Sequence, residues 1–394
     1  MKLLLVCTTC PVPPFGGAAL RELGWLRTAS EFSEVALVTL TRNEQERMAI
    51  AGLDSTCTIV HEVSAPRSVP RRLRDLFMAG LSGVPYLVWS GYERRLHVAV
   101  SRIVGQWSPD VVQAELLPAT PYLEVARSRA IPTVYSAHNV ESRIVGGLSA
   151  GWPRKGRVRH MRRFEARMAR EADAVVAVTA AEASWFHDHA SRVHHIPNAV
   201  DLDESAFVVP SEWLGRDLLF VGHLGYGPNV DAAVTLARQV FPDVRRGFPE
   251  TRCVIAGAAP TRAVRDLAGD GVDVVADPDD LAPLWSGAGV LVCPLRWGGG
   301  SRIKILEAAA RGVPVVSTQF GAEGLEFEPG VHLRVGSDAQ ELAGATVLLL
   351  RDRALADRTA RAAYGAVERH HTWTRLRSAM MEVYEGLLGD HRQR

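Results

Sequence analysis

Three glycines and a serine stand directly before a predicted helix, in the segment Gly298-Gly299-Gly300-Ser301. Two cations, Arg302 and Lys304, and one carboxylate, Glu307, follow in the first turns of that helix. A glycine loop before a helix lets several backbone N–H groups face one point, and the positive end of the helix dipole points the same way. Arg302 and Lys304 suit phosphate oxygens, and Glu307 can accept hydrogen bonds from hydroxyl groups. The pattern therefore indicates a site for a diphosphate joined to a sugar or ribose.

The same residues also fit an ordinary turn between a strand and a helix. In that interpretation Arg302 and Lys304 lie on a solvated helix face, and Glu307 only favours the helix dipole. The flanking segments agree with both interpretations. An apolar strand from Gly289 to Cys293 precedes the loop, and the apolar segment 312–318 follows the helix.

Strand-like and helix-like segments alternate along the whole chain, which predicts an α/β fold with parallel sheets. The strands form two series separated by residues 203–216, which have no clear period. We therefore predict two Rossmann-like domains, residues 1–205 and 206–372, followed by an amphipathic helix in residues 373–394. Neither series has a G-x-G-x-x-G segment after its first strand with an acidic residue at the right distance. This argues against a dinucleotide-dependent dehydrogenase.

Length and composition set the class of protein. The chain has 394 residues, 47% hydrophobic and 23% charged, as in soluble globular proteins of about two domains. The apolar run Leu3–Cys7 is too short for a signal peptide, and no run is long enough to span a membrane. Five scattered cysteines favour a reducing compartment, so we expect a cytoplasmic protein. The net charge of +1 gives no reason to expect nucleic acid as a partner.

Two charged segments have competing interpretations. The basic run Arg154–Arg170 fits a solvated helix face, or a peripheral contact with an anionic membrane surface or a phosphorylated acceptor. The segment Asp277-Pro278-Asp279-Asp280 contains Asp-x-Asp but is better explained as the start of a helix. We see no cluster of metal ligands, so we expect no metal and no other cofactor.

An ordered set of motifs resembles a known family. In the second half these motifs are Phe220-Val221-Gly222-His223-Leu224, Pro228-Asn229-Val230-Asp231, Val254-Ile255-Ala256-Gly257, the segment Gly298–Ala308, Gly312–Thr318 and Gly321-Ala322-Glu323-Gly324. The first half agrees more loosely, through Phe15-Gly16-Gly17, Ala137-His138-Asn139-Val140-Glu141 and Ile196-Pro197-Asn198-Ala199-Val200-Asp201. In this order they resemble the retaining glycosyltransferases of family 4, and they span nearly the whole chain.

The resemblance implies a GT-B fold, in which two Rossmann-like domains with parallel sheets face an interdomain cleft. It implies an N-terminal domain that binds the acceptor, a C-terminal domain that binds the nucleotide sugar, and a final helix that crosses back. It also implies metal-independent, retaining transfer of a sugar, with UDP-hexose as the favoured donor, to an acceptor hydroxyl of a glycan, glycolipid or small metabolite. A sugar-nucleotide epimerase, a phosphorylase-like enzyme and a non-catalytic nucleotide-binding protein remain alternatives.

The resemblance also implies roles for residues. The catalytic residues would be His138 on the donor sugar, Arg302 and Lys304 on the phosphates, and Glu307 on the ribose. The remaining donor-binding residues would be Gly16, Gly17, Gly222, His223, Asp277, Gly299, Gly300 and Ser301. Asn139 and Glu141 would bind the acceptor, although Glu141 could equally cap the helix that follows it.

The chain departs from the family pattern at two places. Many members have a pair of glutamates, of which Glu307 is the second, but the first position is Gly299 here. Backbone amides of the glycine loop would replace that carboxylate. The Arg and Lys that often follow the first strand of the second domain are also replaced, by His223 and by the neighbourhood of Gly227-Pro228. Arg302 and Lys304 would then carry more of the phosphate charge.

Overall fold

The computed structural model describes residues 1–14, 16–66, 68–147, 152–203, 206–208, 215–299 and 302–393. Contacts between Cα atoms divide the chain into two compact units. Unit 1 comprises residues 1–14, 18–197 and 376–394, and unit 2 comprises residues 15–17 and 198–375. The domain limits predicted from the sequence, at residues 205 and 372, stay predictions, and part of the predicted linker lies outside the described residues.

Unit 1 contains a parallel sheet of seven strands in the order β3-β2-β1-β4-β5-β6-β7. These strands are β1 (Lys2–Cys7), β2 (Glu34–Thr41), β3 (Ile59–Ser64), β4 (Val111–Glu115), β5 (Thr133–Ala137), β6 (Ala174–Ala177) and β7 (Val193–His195). Its helices before residue 198 are α1 (Gly17–Ser30), α2 (Glu44–Ile50), α3 (Val69–Ser82), α4 (Tyr86–Gly91), α5 (Arg94–Trp107), α6 (Glu124–Arg127), α7 (Glu141–Gly147), α8 (Trp152–Glu171) and α9 (Ala180–His187). Short 3₁₀ segments cover Ala51–Leu53 and Leu117–Leu123.

Unit 2 contains a parallel sheet of six strands in the order β10-β9-β8-β11-β12-β13. These are β8 (Asp217–Val221), β9 (Cys253–Gly257), β10 (Val272–Ala276), β11 (Ala288–Cys293), β12 (Val315–Ser317) and β13 (Arg334–Val335). Its helices are α10 (Gly227–Thr235), α11 (Phe241–Gly247), α12 (Arg262–Arg265), α13 (Ala282–Gly287), α14 (Ile303–Ala310), α15 (Ala339–Arg351) and α16 (Arg353–His370), with a π-helical segment at Leu236–Val240. The two sheets confirm the predicted α/β class.

The central strands of each sheet are largely apolar and buried, as is typical of parallel sheets that are covered on both faces. In unit 1, Leu4 and Val6 of β1 pack with Val100 of α5 in one buried cluster. Tyr135 of β5 packs with Phe164 of α8 in another. Burial of such runs supplies the main driving force for folding, at about 25 cal/mol per Å² of apolar surface.

The chain ends in helix α17 (Trp373–Gln393). The apolar stripe predicted from the sequence is buried: Met380, Val383 and Tyr384 have no exposed surface. Leu376 and the residues after it belong to unit 1 by their contacts. Unit 1 is therefore built from both ends of the chain.

Each sheet has one position where the strand order reverses direction. In unit 1 this point lies between β1 and β4, and in unit 2 between β8 and β11. Ligands of open α/β sheets bind at the carboxyl ends of the strands beside such a point. None of the described helices is long and apolar enough to cross a membrane.

Candidate functional site

Arg302, the first predicted cation, lies in unit 2 after strand β11, beside the point between β8 and β11 where the strand order reverses. Arg302 occupies the N-cap position of α14 and is only 7% exposed. Its Nη1 donates to the main-chain oxygen of Gly299 at 2.9 Å, and its guanidinium carbon lies 4.8 Å from the centroid of the Phe320 ring. Aromatic contact and a carbonyl partner hold the guanidinium in place. The alternative of a solvated helix face is therefore wrong for Arg302.

Lys304 is held beside the end of β8. Its Nζ donates to Asn229 Oδ1 at 2.9 Å and lies 4.1 Å from the centroid of the Phe220 ring. Burial lowers the pKa of Lys304 to about 8, with Cys293 as an opposing influence. A Cβ added at Gly222 would lie 2.8 Å from this Nζ, so glycine at that position leaves room for the ammonium group. Lys304 is thus a partly desolvated cation, which pairs strongly with an anion.

Glu307 follows Lys304 by one helical turn and is half-buried. Burial raises the pKa of its carboxyl group, while the charges of Arg311 and Lys304 act in the opposite direction. The backbone oxygen of Glu307 accepts a hydrogen bond from Arg311 Nη1 at 3.1 Å. A carboxylate in such a position can accept hydrogen bonds from a vicinal diol.

Asn229 is a site residue to which we assigned no role from the sequence. It bridges Lys304 and the loop after β8, because its Nδ2 donates to the main-chain oxygen of His223 at 3.0 Å. The motif Pro228-Asn229 was the available signal, since it marks the first turn of α10. The side chain of His223 is exposed at this edge of the sheet. Asn229 therefore fixes where the Lys304 ammonium group sits.

The predicted glycines of the first loop group with unit 2 by their contacts. Gly16 has a φ of +104°, which lies in the region that favours glycine. An added Cβ at Gly16 would lie 3.6 Å from Cβ of His223, and one at Gly17 would lie 3.7 Å from Cδ1 of Ile303. The two glycines therefore lie next to the residues that flank the cations.

The structure gives no evidence of donor binding for three other residues that were predicted to bind the donor. Asp277 is exposed and has a φ of +48°, and its Oδ1 accepts from the backbone N–H of Ala259 at 2.7 Å. Its carboxylate thus stabilises a turn at the end of β10, and contact with a nucleotide base stays a prediction. Gly300 and Ser301 lie outside the described residues. Across the described ranges, no three His, Cys, Asp or Glu side chains are grouped so that they could hold a metal ion.

In unit 1, His138 lies directly after β5 and is 6% exposed. Its Nε2 is 2.8 Å from Oε2 of Glu115, the last residue of the neighbouring strand β4. Burial lowers the pKa of His138, against the raising influence of Glu115. Burial acts to raise the pKa of Glu115, but hydrogen bonds from His138 and Gln113 hold it below its usual value. The pair is therefore a neutral imidazole and a carboxylate.

This charge state assigns the imidazole tautomer. Nε2 carries the proton that Glu115 accepts, so Nδ1 is left as a hydrogen-bond acceptor. Nδ1 is buried, with no hydrogen-bond partner in the described part of the chain. A buried polar atom of this kind normally has a partner. His138 is thus prepared to accept a hydrogen bond from a hydroxyl group.

A chain of buried hydrogen bonds continues from Glu115 to the C-terminal helix. Gln113 Nε2 donates to Glu115 Oε1 at 2.5 Å, and the Tyr384 hydroxyl donates to Gln113 Oε1 at 2.7 Å. Trp25 Nε1 in turn donates to the Tyr384 hydroxyl at 2.8 Å. Sequence reasoning missed these residues, although two polar residues in the apolar run Val111–Glu115 were a signal. Through this chain, α17 helps to orient His138.

The predicted acceptor residues Asn139 and Glu141 contact each other, since Asn139 Nδ2 lies 3.4 Å from Glu141 Oε1. The alternative that Glu141 caps helix α7 is wrong. Glu141 is the first residue of α7, and its own backbone N–H donates to Glu165 Oε1 at 2.7 Å. The backbone N–H of Ser142 donates to Glu165 Oε2 at 3.1 Å. The cap is therefore Glu165 of α8, which leaves the Glu141 carboxyl group available, with a pKa that burial raises to about 7.

Two protein-family models match the chain. The model "Glycosyltransferase Family 4" matches residues 34–204, and "Glycosyl transferases group 1" matches residues 215–352. Among curated relatives, a glycogen synthase of Mycobacterium tuberculosis is 28% identical over 295 residues, covering 71% of this chain and 69% of the relative. A phosphatidyl-myo-inositol mannosyltransferase of Mycobacterium leprae is 30% identical over 200 residues, covering 48% and 52%. Both units are therefore matched, each by its own model.

Solved structures agree on the fold. HepE from Anabaena, solved in complex with UDP and glucose, superposes with a TM-score of 0.70 at 16% identity, covering 98% of this chain and 99% of that one. TarM from S. aureus, solved with Fondaparinux, alpha-GlcNAc-glycerol and UDP, gives 0.69 at 9% identity, covering 98% and 100%. At these identities the structures show the fold alone, and it is the predicted GT-B fold. The chain therefore has the GT-B fold, and its two units match the glycosyltransferase models of family 4 and of group 1.

Proposed function

We propose that this protein is a retaining, metal-independent glycosyltransferase. It transfers a hexose from a nucleoside diphosphate, with UDP as the favoured nucleotide, to a hydroxyl group of an acceptor. The acceptor is a glycan, a glycolipid or a small metabolite. Unit 2 contributes the groups that bind the donor phosphates and ribose, and unit 1 contributes those that contact the transferred sugar and the acceptor.

The observation that carries the proposal is the pair of sequestered cations at the switch point of unit 2. When the glycosidic bond breaks, negative charge grows on the departing diphosphate. Fixed cations in a partly desolvated site stabilise that charge more strongly than they stabilise the ground state. Arg302 offers a planar pair of donors, and Lys304 offers a point charge. Backbone N–H groups at the start of α14 add to the same field.

Glu307 supports a nucleotide in this site. One turn beyond Lys304, its carboxylate suits the two ribose hydroxyls of a nucleoside diphosphate. HepE and TarM, which share the fold, were each solved with UDP, and this supports UDP as the first nucleotide to test. Gly16 and Gly17 leave the backbone accessible beside the cations, as close approach of a phosphate requires.

His138 supports a sugar as the transferred group. Its unprotonated Nδ1 can accept a hydrogen bond from one sugar hydroxyl, and Glu115 fixes the ring so that this atom keeps its orientation. Asn139 and Glu141 lie next along the chain and suit the acceptor. A neutral imidazole also avoids adding a cation where the acceptor hydroxyl must lose its proton.

Retention of configuration is proposed to arise without a protein nucleophile. The acceptor attacks from the face that the diphosphate leaves, and the leaving phosphate oxygen takes the acceptor proton. Atoms balance in this step: the acceptor oxygen gains the bond to the anomeric carbon that the phosphate oxygen loses. The protein supplies cations and positions the reactants.

A ligand-stabilisation screen tests the donor site. Thermal unfolding is measured with UDP, GDP, ADP and dTDP and their sugars, in EDTA and again with Mg²⁺. We expect one nucleotide family to stabilise the protein equally under both conditions, and Arg302→Ala and Glu307→Ala to remove the effect. Absence of any shift in a folded sample contradicts the donor site. Stabilisation that needs Mg²⁺ contradicts metal independence.

Product analysis tests the reaction itself. The donor found in the screen is incubated with glycan, glycolipid and small-molecule acceptors, and the anomeric configuration of the product is read by NMR. Retention is the expected outcome, and inversion contradicts the mechanism. Release of an epimer without acceptor would support an epimerase, and binding without turnover would support a nucleotide-binding protein.

A further inference from the structure

Helix α3 of unit 1 presents its apolar face to the outside. Val69, Leu73, Leu76, Phe77 and Leu81 are between 59% and 69% exposed. Their spacing places them in one stripe along the helix. A helix on a soluble protein normally turns such a stripe to the core, and contiguous exposed apolar surface marks a binding surface.

The opposite face of α3 is polar and holds the helix in this orientation. Asp75 is only 4% exposed, and Arg71 Nε lies 3.7 Å from its Oδ2. Arg71 Nη2 also contacts Glu93 Oε2 at 2.9 Å. Turning the apolar stripe inward would expose these ion pairs and break them. The outward stripe is therefore the consequence of specific contacts on the inner face.

An apolar cavity continues the surface beyond α3. Helix α4 begins at Tyr86, directly after the loop that follows α3, and a cavity of about 600 Å³ separates it from α8. Val84, Val88, Trp89, Tyr92, Pro121, Phe164 and Met168 supply its apolar lining, and Glu124, Arg127, Arg167 and Glu171 supply the charged remainder. The cavity therefore connects the α3–α4 segment to the basic helix.

Helix α8 supplies positive charge at the same part of unit 1. Its exposed cationic side chains are Lys155, Arg157, Arg159, Arg162, Arg163, Arg167 and Arg170, and its last residue, Glu171, is an exposed carboxylate that contacts Arg127 and Arg167. Between residues 155 and 170 the helix has one carboxylate, Glu165, and it is buried against α7. The side chain of Arg154, with which the predicted basic run began, lies outside the described residues.

We propose that α3 and α8 together dock this protein on an anionic lipid bilayer. The apolar stripe of α3 enters the boundary between headgroups and acyl chains, and the cations of α8 contact the headgroups. Apolar insertion and attraction to anionic lipids are the two components of interfacial binding, and each strengthens the other. The charge of α8 favours this occupant over a second copy of the chain, whose α8 would repel it. The inference goes beyond sugar transfer and does not depend on it.

Vesicle flotation with the full chain tests the proposal. Phosphatidylcholine vesicles are compared with and without phosphatidylglycerol, at low and at high salt. We expect flotation with the anionic vesicles only, weakened by salt because the headgroup attraction is screened. Failure of a folded sample to float with anionic vesicles overturns the proposal. Equal flotation with both compositions overturns its electrostatic part.

Matched variants test whether the α3 stripe, rather than any exposed apolar residue, contributes to vesicle binding. Leu73→Ser and Phe77→Ser are each expected to weaken vesicle affinity about tenfold. Met48→Ser is the control, because Met48 lies on α2 of the same unit and is 71% exposed. The combined change Arg162→Gln with Arg163→Gln should weaken binding about tenfold at low salt and have no effect at high salt. Equal losses in Met48→Ser and Phe77→Ser would overturn the role of α3.

A fluorescent label measures insertion directly. All five native cysteines are buried, so an environment-sensitive dye attached at Leu76→Cys reports on α3 alone. A blue shift with anionic vesicles supports insertion. Light scattering in the absence of lipid tests whether a second copy of the chain binds α3 instead. A dimer that dissociates in Phe77→Ser would overturn the proposal in favour of self-association.

Discussion

The carboxyl edges of the two sheets differ in their buried charged groups. The edge of unit 1 holds the buried pair Glu115 and His138, with buried Arg21 as a further charge that acts on the pKa of both. The edge of unit 2 holds Arg302 and Lys304, with the half-buried Glu307 beyond them. Both edges come from the same arrangement of parallel strands and helices. Because the fold is shared, we propose that this difference in buried charge gives each edge a different ligand.

The two edges also differ in how contacts and burial affect their charged groups. In unit 1, burial raises the pKa of Glu165 to about 8 and that of Glu22 well above its usual value, which favours the protonated form of both carboxyl groups. The pKa of Glu115 is lowered instead, because hydrogen bonds from His138 and Gln113 oppose the effect of burial. In unit 2, aromatic rings and carbonyl or amide oxygens hold the cations. The first edge thus suits neutral hydroxyls, and the second suits an anion.

Removing Arg302 should give the largest effect. We expect Arg302→Ala to lower kcat/KM about 10³-fold, because the charge on the departing phosphate loses a fixed bidentate partner. Calorimetry with UDP and initial rates with the donor measure this. Arg296→Ala is the matched control: Arg296 lies in the same loop, but it is exposed and its Nε donates to Asp231 at 3.0 Å. If Arg302→Ala retains UDP affinity, the difference between the edges is not functional.

The pKa of Lys304 predicts how donor binding depends on pH. Lys304 carries its charge below a pKa of about 8 and loses it above. Between about pH 7 and pH 8, where the UDP phosphates are fully ionised, UDP affinity should be nearly constant, and above pH 8 it should weaken by up to about tenfold per pH unit. Titration calorimetry across this range measures the effect.

Lys304→Arg serves as the control for that titration. An arginine keeps its charge throughout this range, so the decline above pH 8 should disappear even where the overall affinity changes. A decline of the same size in Lys304→Arg would assign the titration to another group.

Breaking the contact between Glu115 and His138 should have a smaller effect. In Glu115→Gln the amide can donate to Nε2, so the proton moves to Nδ1 and the acceptor becomes a donor. We expect kcat/KM to fall about tenfold, since one hydrogen bond to the sugar is lost. Nitrogen-15 NMR of the imidazole reports the tautomer, which a purely structural role would leave unchanged.

Glu22→Gln provides the comparison for that variant. Glu22 is equally buried and accepts from Thr9 Oγ1 at 2.9 Å, but it does not contact His138. Its substitution should leave the His138 tautomer as it is in the natural protein. The same change of tautomer in both variants would show that Glu115 has no specific role.

The smallest effect on activity is expected at Tyr384. Tyr384→Phe leaves Trp25 Nε1 and Gln113 Oε1 without their partner, which should lower the free energy of unfolding by about 1–3 kcal/mol. Catalysis should change by less than about threefold, because Glu115 still contacts His138. Thermal unfolding and initial rates measure both quantities. Tyr86→Phe, at an exposed tyrosine, should change neither, and a large loss of activity in Tyr384→Phe alone would give α17 a direct role in catalysis.

Local sequence patterns predicted the elements well. The apolar run at Val111 gave strand β4, and the periodic apolar residues after Trp373 gave helix α17 with its buried face. The glycine loop and the cations after β11 were also found from sequence, because one strand, one loop and one helix hold them. Such features depend on residues that are close along the chain, and their periods can be read directly.

The residues that orient His138 could not be predicted in the same way. Glu115 reaches His138 because β4 pairs with β5 in a register that sets Glu115 opposite Ser136. Glu165 caps α7 from a different helix, and Tyr384 meets Gln113 from the far end of the chain. These contacts depend on strand order and helix packing. The outward face of α3 has the same origin, because the contact of Arg71 with Glu93, beyond the end of the helix, helps to fix it.

The discontinuity of unit 1 has a practical consequence for protein production. A fragment that ends before Leu376 lacks Tyr384, so it would expose the surface that α17 covers and leave Gln113 and Trp25 without a partner. Unit 1 therefore cannot be produced intact by simply truncating the chain. A circular permutation that joins α17 ahead of β1 by a short linker supplies the missing segment, because both belong to the same unit.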